Sequence, residues 1–178
     1  MTPNLVSVHS DGICIYLTIK VRNALFPKVL LVFFNMLLLT AIMAAVYYWI
    51  PVLLLVVAIT EVFLGRYTLW NLFGRELIMF NTKALTYQHD YGFFKTKTVT
   101  CTMGKLLNCK AVATVRERKV ILQYLEFSSY DGNDLPYVLY QVALPVQERD
   151  TRLLLQLIDK LYVSKLAEEQ VLSVVHLN

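Results

Sequence analysis

Two polar side chains interrupt a long apolar run in the sequence, and they are the first candidates for chemistry. The run extends from Val29 to Leu69, with Asn35 in its first half and Glu61 in its second. An ionised carboxyl near mid-membrane costs about 3 kcal/mol on insertion scales, so Glu61 is expected to turn away from lipid. Helical rise places Asn35, Thr40 and Glu61 at similar depths if the run folds as two antiparallel helices. We predict that the three form a membrane polar cluster. Its role is either structural, through a hydrogen bond from Glu61 to Asn35 or Thr40, or functional, as a proton relay or a contact with a partner's membrane helix.

A second group of candidate residues is basic and follows the apolar run. Between Lys83 and Lys119, lysine and arginine outnumber aspartate and glutamate by eight to two. Lys95 and Lys97 lie two residues apart, which places both side chains on one face if they belong to a strand. With Lys105 and Lys110 they are predicted to form a surface for anionic lipid or a protein partner, and each cation near such lipid contributes about 1 kcal/mol. Ordinary solvated charges are the alternative, and nucleic acid is disfavoured because no aromatic ladder accompanies the charge.

Residues typical of enzymes do not form a recognisable pattern. The sequence lacks the glycine-rich phosphate loop, the dinucleotide fingerprint, the H-E-x-x-H zinc motif and the G-x-S-x-G nucleophile turn. The histidines and cysteines, which show no metal-ligand spacing, are His9, His89, His176, Cys14, Cys101 and Cys109. We therefore predict no catalytic residue, metal or cofactor, with a cysteine nucleophile activated by His89 as the alternative. An odd number of cysteines without C-x-x-C spacing fits reduced thiols in a cytoplasmic module.

The long apolar run determines where these candidates lie. A helix that crosses a bilayer needs about 20 apolar residues, so a run of this length holds two crossings. The break is predicted at Trp49-Ile50-Pro51, because proline ends one helix and suits the first turn of the next. Basic residues flank both outer ends and the turn is uncharged, so both chain ends are predicted to face the cytoplasm. Those flanking residues are Lys20, Arg22, Lys28, Arg66 and Arg75.

The polar remainder of the sequence is sufficient for only one small domain, because hydrophobic residues make up 57% of the chain. In the N-terminal segment 1–28, an Asp-Gly turn between apolar runs predicts a β-hairpin. From 71 to 165, turn residues separate runs rich in Thr, Tyr, Phe and Val, which indicates an antiparallel sheet. The predicted strands are Leu5 to Val8, Ile13 to Val21, Glu76 to Phe80, Ala84 to His89, Phe93 to Met103, Lys119 to Phe127 and Tyr137 to Leu144. Leucines at helical spacing predict an amphipathic helix from about Glu148 to Lys165, followed by a tail at 166–178.

The predicted fold class is an α+β membrane protein in which a two-helix transmembrane hairpin at 29–70 precedes a small antiparallel barrel or sheet. The C-terminal amphipathic helix caps this domain. A Gly-Arg-Glu strand start, a Leu-x-Tyr second strand and an x-Gly-Phe-Phe turn resemble the bacterial pleckstrin-homology-like membrane proteins over roughly Leu69 to Val163. The plan is also similar to that of photosystem I assembly proteins, although no motif ties the chain to photosynthesis. The resemblance implies a pleckstrin-homology-like scaffold with no catalytic signature.

Together these features favour a non-enzymatic accessory or scaffold protein in the bacterial inner membrane. Its cytoplasmic module is expected to bind a protein partner, with the lipid bilayer, including anionic lipid, as the second partner. The alternative function is an anionic-lipid-sensing or transport-linked module that uses the basic surface or Glu61.

Overall fold

The computed structural model describes residues 5–22, 24–117 and 120–175. In chain order its elements are β1 (Val6–Ser10), β2 (Ile15–Lys20), α1 (Leu25–Tyr47), α2 (Pro51–Phe73), β3 (Arg75–Phe80), β4 (Ala84–Asp90), β5 (Val99–Thr102), β6 (Asn108–Glu117), β7 (Val120–Tyr130), β8 (Pro136–Gln141), β9 (Val146–Gln147) and α3 (Glu148–Val175). The class is α+β, with two long apolar helices, antiparallel sheets and a C-terminal helix. The described residues divide into two compact units, which we call the hairpin unit (20–75 and 90–95) and the sheet unit (5–19, 76–89 and 96–175).

The hairpin unit contains two helices that are long and apolar enough to cross a membrane. Each has 23 residues, and their most apolar stretches have mean hydropathies of 2.6 and 1.9. Only 6% and 11% of the residues in those stretches are buried, so neither helix is enclosed by protein as the core helix of a soluble domain would be. α1 ends at Tyr47 and α2 begins at Pro51, which confirms the predicted break. Proline fits there because the first helical turn leaves its amide position without a bonding partner.

The sheet unit contains two antiparallel sheets. The first has the strand order β1-β2-β3-β4-β5, and the second has the order β6-β7-β8 with β9 also paired to β7. The N-terminal hairpin is therefore part of the larger sheet. No closed barrel forms among the described strands, so the predicted barrel or sheet is realised as two sheets.

The core of the sheet unit forms because each strand directs alternate side chains inward. In β2 the side chains of Ile15, Leu17 and Ile19 are fully buried, whereas those between them are not. Phe80 of the first sheet contacts Phe127 of the second, with ring centroids 5.6 Å apart. Buried leucines and isoleucine of α3 belong to the same cluster, so helix and sheets share one core.

Several elements differ from the predictions, and β9 has no predicted counterpart. β5 begins only at Val99, because the chain after β4 first makes a turn at 90–95 that belongs to the hairpin unit. β6 was not predicted, since a bulge between Ala111 and Ala113 breaks its two-residue alternation. α3 continues past the predicted end at Lys165 as far as Val175.

Candidate functional site

A groove runs along the edge of β1 beside α3, and we call it the β1–α3 groove. It comprises two cavities of about 870 Å³ and about 400 Å³. On one side, the larger is lined by Leu5 and the first three residues of β1, and the smaller by the last three residues of β1 and Gly12. On the other side, α3 supplies the wall of both, joined at the larger cavity by Gln147 of β9. Four consecutive residues line the larger cavity although their side chains alternate between faces, so the strand presents its edge to it.

The edge of β1 carries backbone groups that can accept another strand. β1 is the terminal strand of its sheet and pairs only with β2 among the described strands. The amide of Asp11 bonds to the carbonyl of Cys14 at 3.2 Å, and antiparallel bonding alternates from that pair along the register. The N–H and C=O of Val6 and Val8 consequently point outward, and no hydrogen bond among the described residues occupies them. An unpaired edge of this kind is a template for strand addition.

The α3 wall of the groove is apolar along its centre. Leu154, Ile158 and Leu161 are buried in the core, as the helical spacing predicts. Leu153, which the same spacing placed on the buried face, is instead 46% exposed and lines both cavities. Leu157 is half-buried and lines the smaller cavity. The groove therefore offers apolar side chains opposite the backbone edge of β1, which is the combination that an extended peptide needs.

The two ends of the groove differ in charge. At the larger cavity Arg152 pairs with Glu148 at 2.5 Å, and Asp150 lies beside Arg149. Partial burial raises the pKa of the Asp150 carboxyl, and the positive charge of Arg149 opposes that rise. At the smaller cavity Lys160 is exposed, and none of the residues lining that cavity is a carboxylate. A ligand with an acidic side chain at this end would compensate Lys160.

The predicted membrane polar cluster is not assembled as expected. Asn35 Nδ2 donates to Thr68 Oγ1 of the other helix at 2.7 Å and to the Leu31 carbonyl at 2.6 Å. The Thr40 hydroxyl donates to the carbonyl of Leu37 in its own helix at 2.7 Å. Glu61 Oε2 is buried and has no hydrogen-bond partner among the described residues.

The antiparallel register of α1 and α2 explains this arrangement. With Asn35 opposite Thr68, a step of seven residues along each helix brings Ile42 opposite Glu61. Thr40 lies on the exposed side of α1, so its hydroxyl bonds within its own helix. The structure thus joins Asn35 to Thr68, which was not predicted, and leaves Glu61 apart from both expected partners.

The four predicted surface lysines do not form one strand face. Lys95 and Lys97 are exposed but precede β5, and Lys95 belongs to the hairpin unit whereas Lys97 belongs to the sheet unit. Lys105 forms an ion pair with Asp134, and Lys110 Nζ lies 2.8 Å from Glu126 Oε1. Two of the four lysines therefore already have carboxylate partners. The side chain of Arg116 and residues 118–119, which also contributed to the predicted basic surface, lie outside the described residues.

A buried carboxylate in the sheet unit was not among the predicted sites. Glu76 of β3 is 1% exposed. Its Oε1 accepts from the Tyr140 hydroxyl at 2.9 Å and from the Ala143 amide at 3.1 Å, and its Oε2 accepts from the Leu144 amide at 3.3 Å. His89 Nε2 lies 3.5 Å from Oε1. Because Glu76 and His89 belong to the first sheet and Tyr140 to the second, we call this group the Glu76 clamp.

The Glu76 clamp connects the two sheets of the sheet unit through hydrogen bonds. Burial raises the pKa of Glu76, while the bonds from Tyr140 and the two amides, together with His89, oppose the rise. Burial and then the charge of Glu76 raise the pKa of Tyr140, so its hydroxyl stays protonated and donates. His89, considered above as an activator of a cysteine, is directed at Glu76 and Tyr140 instead. None of the three lines the β1–α3 groove.

The sequence contains a signal for the clamp. Glu76, Ile78 and Phe80 occupy alternate positions of β3, and all three are buried. The alternation that identifies the core face therefore also places Glu76 inside. The partner Tyr140 could not be found in this way, because it comes from a different sheet.

Comparison of the chain with protein-family models, curated proteins and solved structures finds no match.

Proposed function

We propose that this is a non-enzymatic membrane-anchored accessory protein whose sheet unit binds an extended segment of a partner protein in the β1–α3 groove. The outward backbone groups of Val6 and Val8 are the observation that carries the proposal. A partner strand of about five residues, roughly 17 Å long, would match the length of β1. Alternate side chains of that strand would contact Leu153 and Leu157, and an acidic residue would pair with Lys160.

In this proposal α1 and α2 form a transmembrane hairpin in a bacterial inner membrane, with both chain ends in the cytoplasm. The lengths of the helices, their apolar composition and their low burial support the crossing. The uncharged turn at 48–50 and the basic residues outside the helices support the orientation. The chain ends themselves, at 1–4 and 176–178, lie outside the described residues.

We also propose that the sheet unit is a variant of the pleckstrin-homology-like fold. Two antiparallel sheets and a C-terminal helix that shares their core support this assignment. The additional strands β1 and β2 extend the first sheet, and they supply the edge that the proposed ligand uses.

A lipid-sensing or transport-linked function is the second candidate. Glu61 favours it, because its buried Oε2 has no hydrogen-bond partner among the residues that the structure describes and an ionisable residue at membrane depth is typical of functional sites. The predicted basic surface gives this second function little support, because Lys105 and Lys110 already form ion pairs with carboxylates.

A photo-crosslinking experiment on the full-length protein in its native membrane tests the groove. A benzophenone amino acid at position 156 replaces Gln156, which is exposed and lines the larger cavity. The matched control carries the same group at position 155, where Leu155 is exposed on the same helix but lines neither cavity. We expect a protein adduct from position 156 and none from position 155.

Two substitutions at Val8 then test strand addition. Val8→Pro removes the outward N–H and is tolerated on an edge strand, so it should lower the adduct yield about tenfold, as expected for one lost hydrogen bond of about 1.4 kcal/mol. Val8→Ala retains the N–H and should preserve the adduct. Equal yields from the two variants, or an adduct that is a second copy of this chain, would contradict binding of a partner strand.

A further inference from the structure

We propose that the turn at residues 90–95 lies in the interfacial layer of the bilayer and anchors the protein there by direct contact with lipid. We call these residues the aromatic turn, because three of the six, Tyr91, Phe93 and Phe94, are aromatic. The inference rests on the membrane crossing proposed above and adds a lipid-binding element that is not part of either helix. The partner is phospholipid, because the turn is continuous with the surface of α2.

The aromatic turn packs along the last two turns of α2. The ring of Tyr91 lies 5.1 Å from that of Trp70, and Phe93 lies 5.5 Å from Phe73, between ring centroids. Arg66 places its guanidinium 5.4 Å from the Tyr91 ring centre, with two nitrogens 3.4 Å from the hydroxyl. These contacts span from Arg66 to Phe73, which is roughly 10 Å of helix axis.

The position of these contacts along α2 determines the depth of the aromatic turn. About 20 residues cross the hydrocarbon layer, so a crossing that begins at Pro51 reaches the headgroup boundary near Trp70. Arg66 lies about 6 Å deeper than Trp70, and its side chain extends toward the boundary to meet Tyr91. The aromatic turn is therefore held at the level where tryptophan and tyrosine rings concentrate in membrane proteins.

The exposed groups of the aromatic turn match this environment. Phe93 is 76% exposed and the adjacent Phe94 is 43% exposed, and Phe73 beside them is also exposed. A contiguous apolar surface of this kind is unusual in water and typical of an interaction site. The next residue, Lys95, is exposed and can pair with lipid phosphate, as cations at the interface do.

The conformation of the aromatic turn is fixed before any lipid binds. Gly92 has φ +88°, and a Cβ at this position would lie 2.7 Å from the Cβ of Phe73. The Asp90 carboxylate accepts from the Gly92 amide at 2.8 Å, and the Tyr91 amide donates to the Phe94 carbonyl at 2.9 Å. Glycine is thus required both for the backbone conformation and for the close approach to α2.

Labelling with photoactivatable phospholipids tests the inference on the full chain in liposomes. One phosphatidylcholine probe carries a diazirine near the headgroup and a second carries it at the methyl end of the acyl chain. We expect the tryptic peptide 84–95 to be labelled more by the shallow probe, and the peptide 29–66, which contains Phe63, to be labelled by the deep probe. Labelling of 29–66 without labelling of 84–95 would overturn this inference and leave the membrane crossing intact. Absence of both labels would refute the crossing itself.

A pair of glycine variants tests whether packing on α2 positions the aromatic turn. Gly92→Ala should displace the turn and reduce shallow labelling of 84–95 several-fold. Gly132→Ala, where a Cβ would meet nothing within 4 Å, should leave labelling unchanged. Undiminished labelling in Gly92→Ala would overturn the proposed positioning by α2.

Discussion

The Glu76 clamp predicts that a single hydroxyl group makes a measurable contribution to the stability of the sheet unit. Tyr140→Phe removes the donor that lies 2.9 Å from Glu76 Oε1 and 3.3 Å from His89 Nε2. The phenylalanine ring keeps its stacking on Tyr87, where the ring centroids are 4.0 Å apart. The substitution therefore changes the hydrogen bonds of the clamp while conserving its packing.

The magnitude follows from the burial of the carboxyl group. A hydrogen bond to a charged group contributes about 1.5–3 kcal/mol, and Glu76 cannot replace the lost donor with bulk water because it is 1% exposed. We expect a loss of about 2 kcal/mol, which corresponds to a roughly thirtyfold change in an opening equilibrium. Removal of this bond also raises the pKa of Glu76 further, since the bond from Tyr140 is the largest of the contributions that lower it.

Native-state amide exchange of the full chain in detergent measures this change without requiring two-state unfolding. The slowest amides of β3 and β8 should exchange about thirtyfold faster in Tyr140→Phe than in the wild type. The matched control is Tyr137→Phe on the same strand, whose hydroxyl donates to the exposed Thr102 carbonyl at 3.1 Å. That variant should change exchange by about twofold at most, as surface substitutions do. Equal effects of the two substitutions would refute the reasoning about the clamp.

Three further predictions concern a pH dependence, a thiol and a glycine. Because the pKa of Glu76 is raised in the folded state, protonation of its carboxyl favours folding; this contribution to stability is complete below the ordinary pKa of 4.5 and is lost as the pH rises through the folded-state pKa. Glu76→Gln should therefore remove this decrease in stability, measured as opening free energies at several pH values. Burial raises the pKa of Cys109 to about 12, so maleimide labelling followed by mass spectrometry should show Cys109 reacting much more slowly than the half-buried Cys14. A Cβ on Gly104 would lie 2.0 Å from the Tyr130 carbonyl oxygen, so Gly104→Ala should destabilise the sheet unit by about 3 kcal/mol in the same exchange measurement.

The features that depend on local patterns were predictable from the sequence. The two long helices follow from the length of an apolar run, and their break follows from the fixed φ and missing amide hydrogen of Pro51. β3 and β4 follow from turn residues between strand-forming runs. The start of α3 follows from leucines at helical spacing.

The features that depend on distant partners were not predictable. The aromatic residues at 93–94 have strand-forming side chains, but Phe93 packs on Phe73 of α2 and Phe94 stacks on Tyr91, so β5 begins later than its composition indicates. Glu76 meets Tyr140 across 64 positions of sequence, and no local period reports such a pairing. The groove is equally nonlocal, because it exists only when β1 and α3 lie side by side.

The pairing of β2 with β3 restricts how this protein can be inserted into a membrane. β2 precedes both long helices and β3 follows them, yet the two strands are neighbours in one sheet. If the helices enter a membrane, an even number of membrane crossings is needed to place β3 on the same side of the membrane as β2. A ribosome must therefore complete about 55 residues between the two strands before the first sheet can close. Insertion of only one of the two helices would leave β2 and β3 on opposite sides of the membrane, so the first sheet could not form.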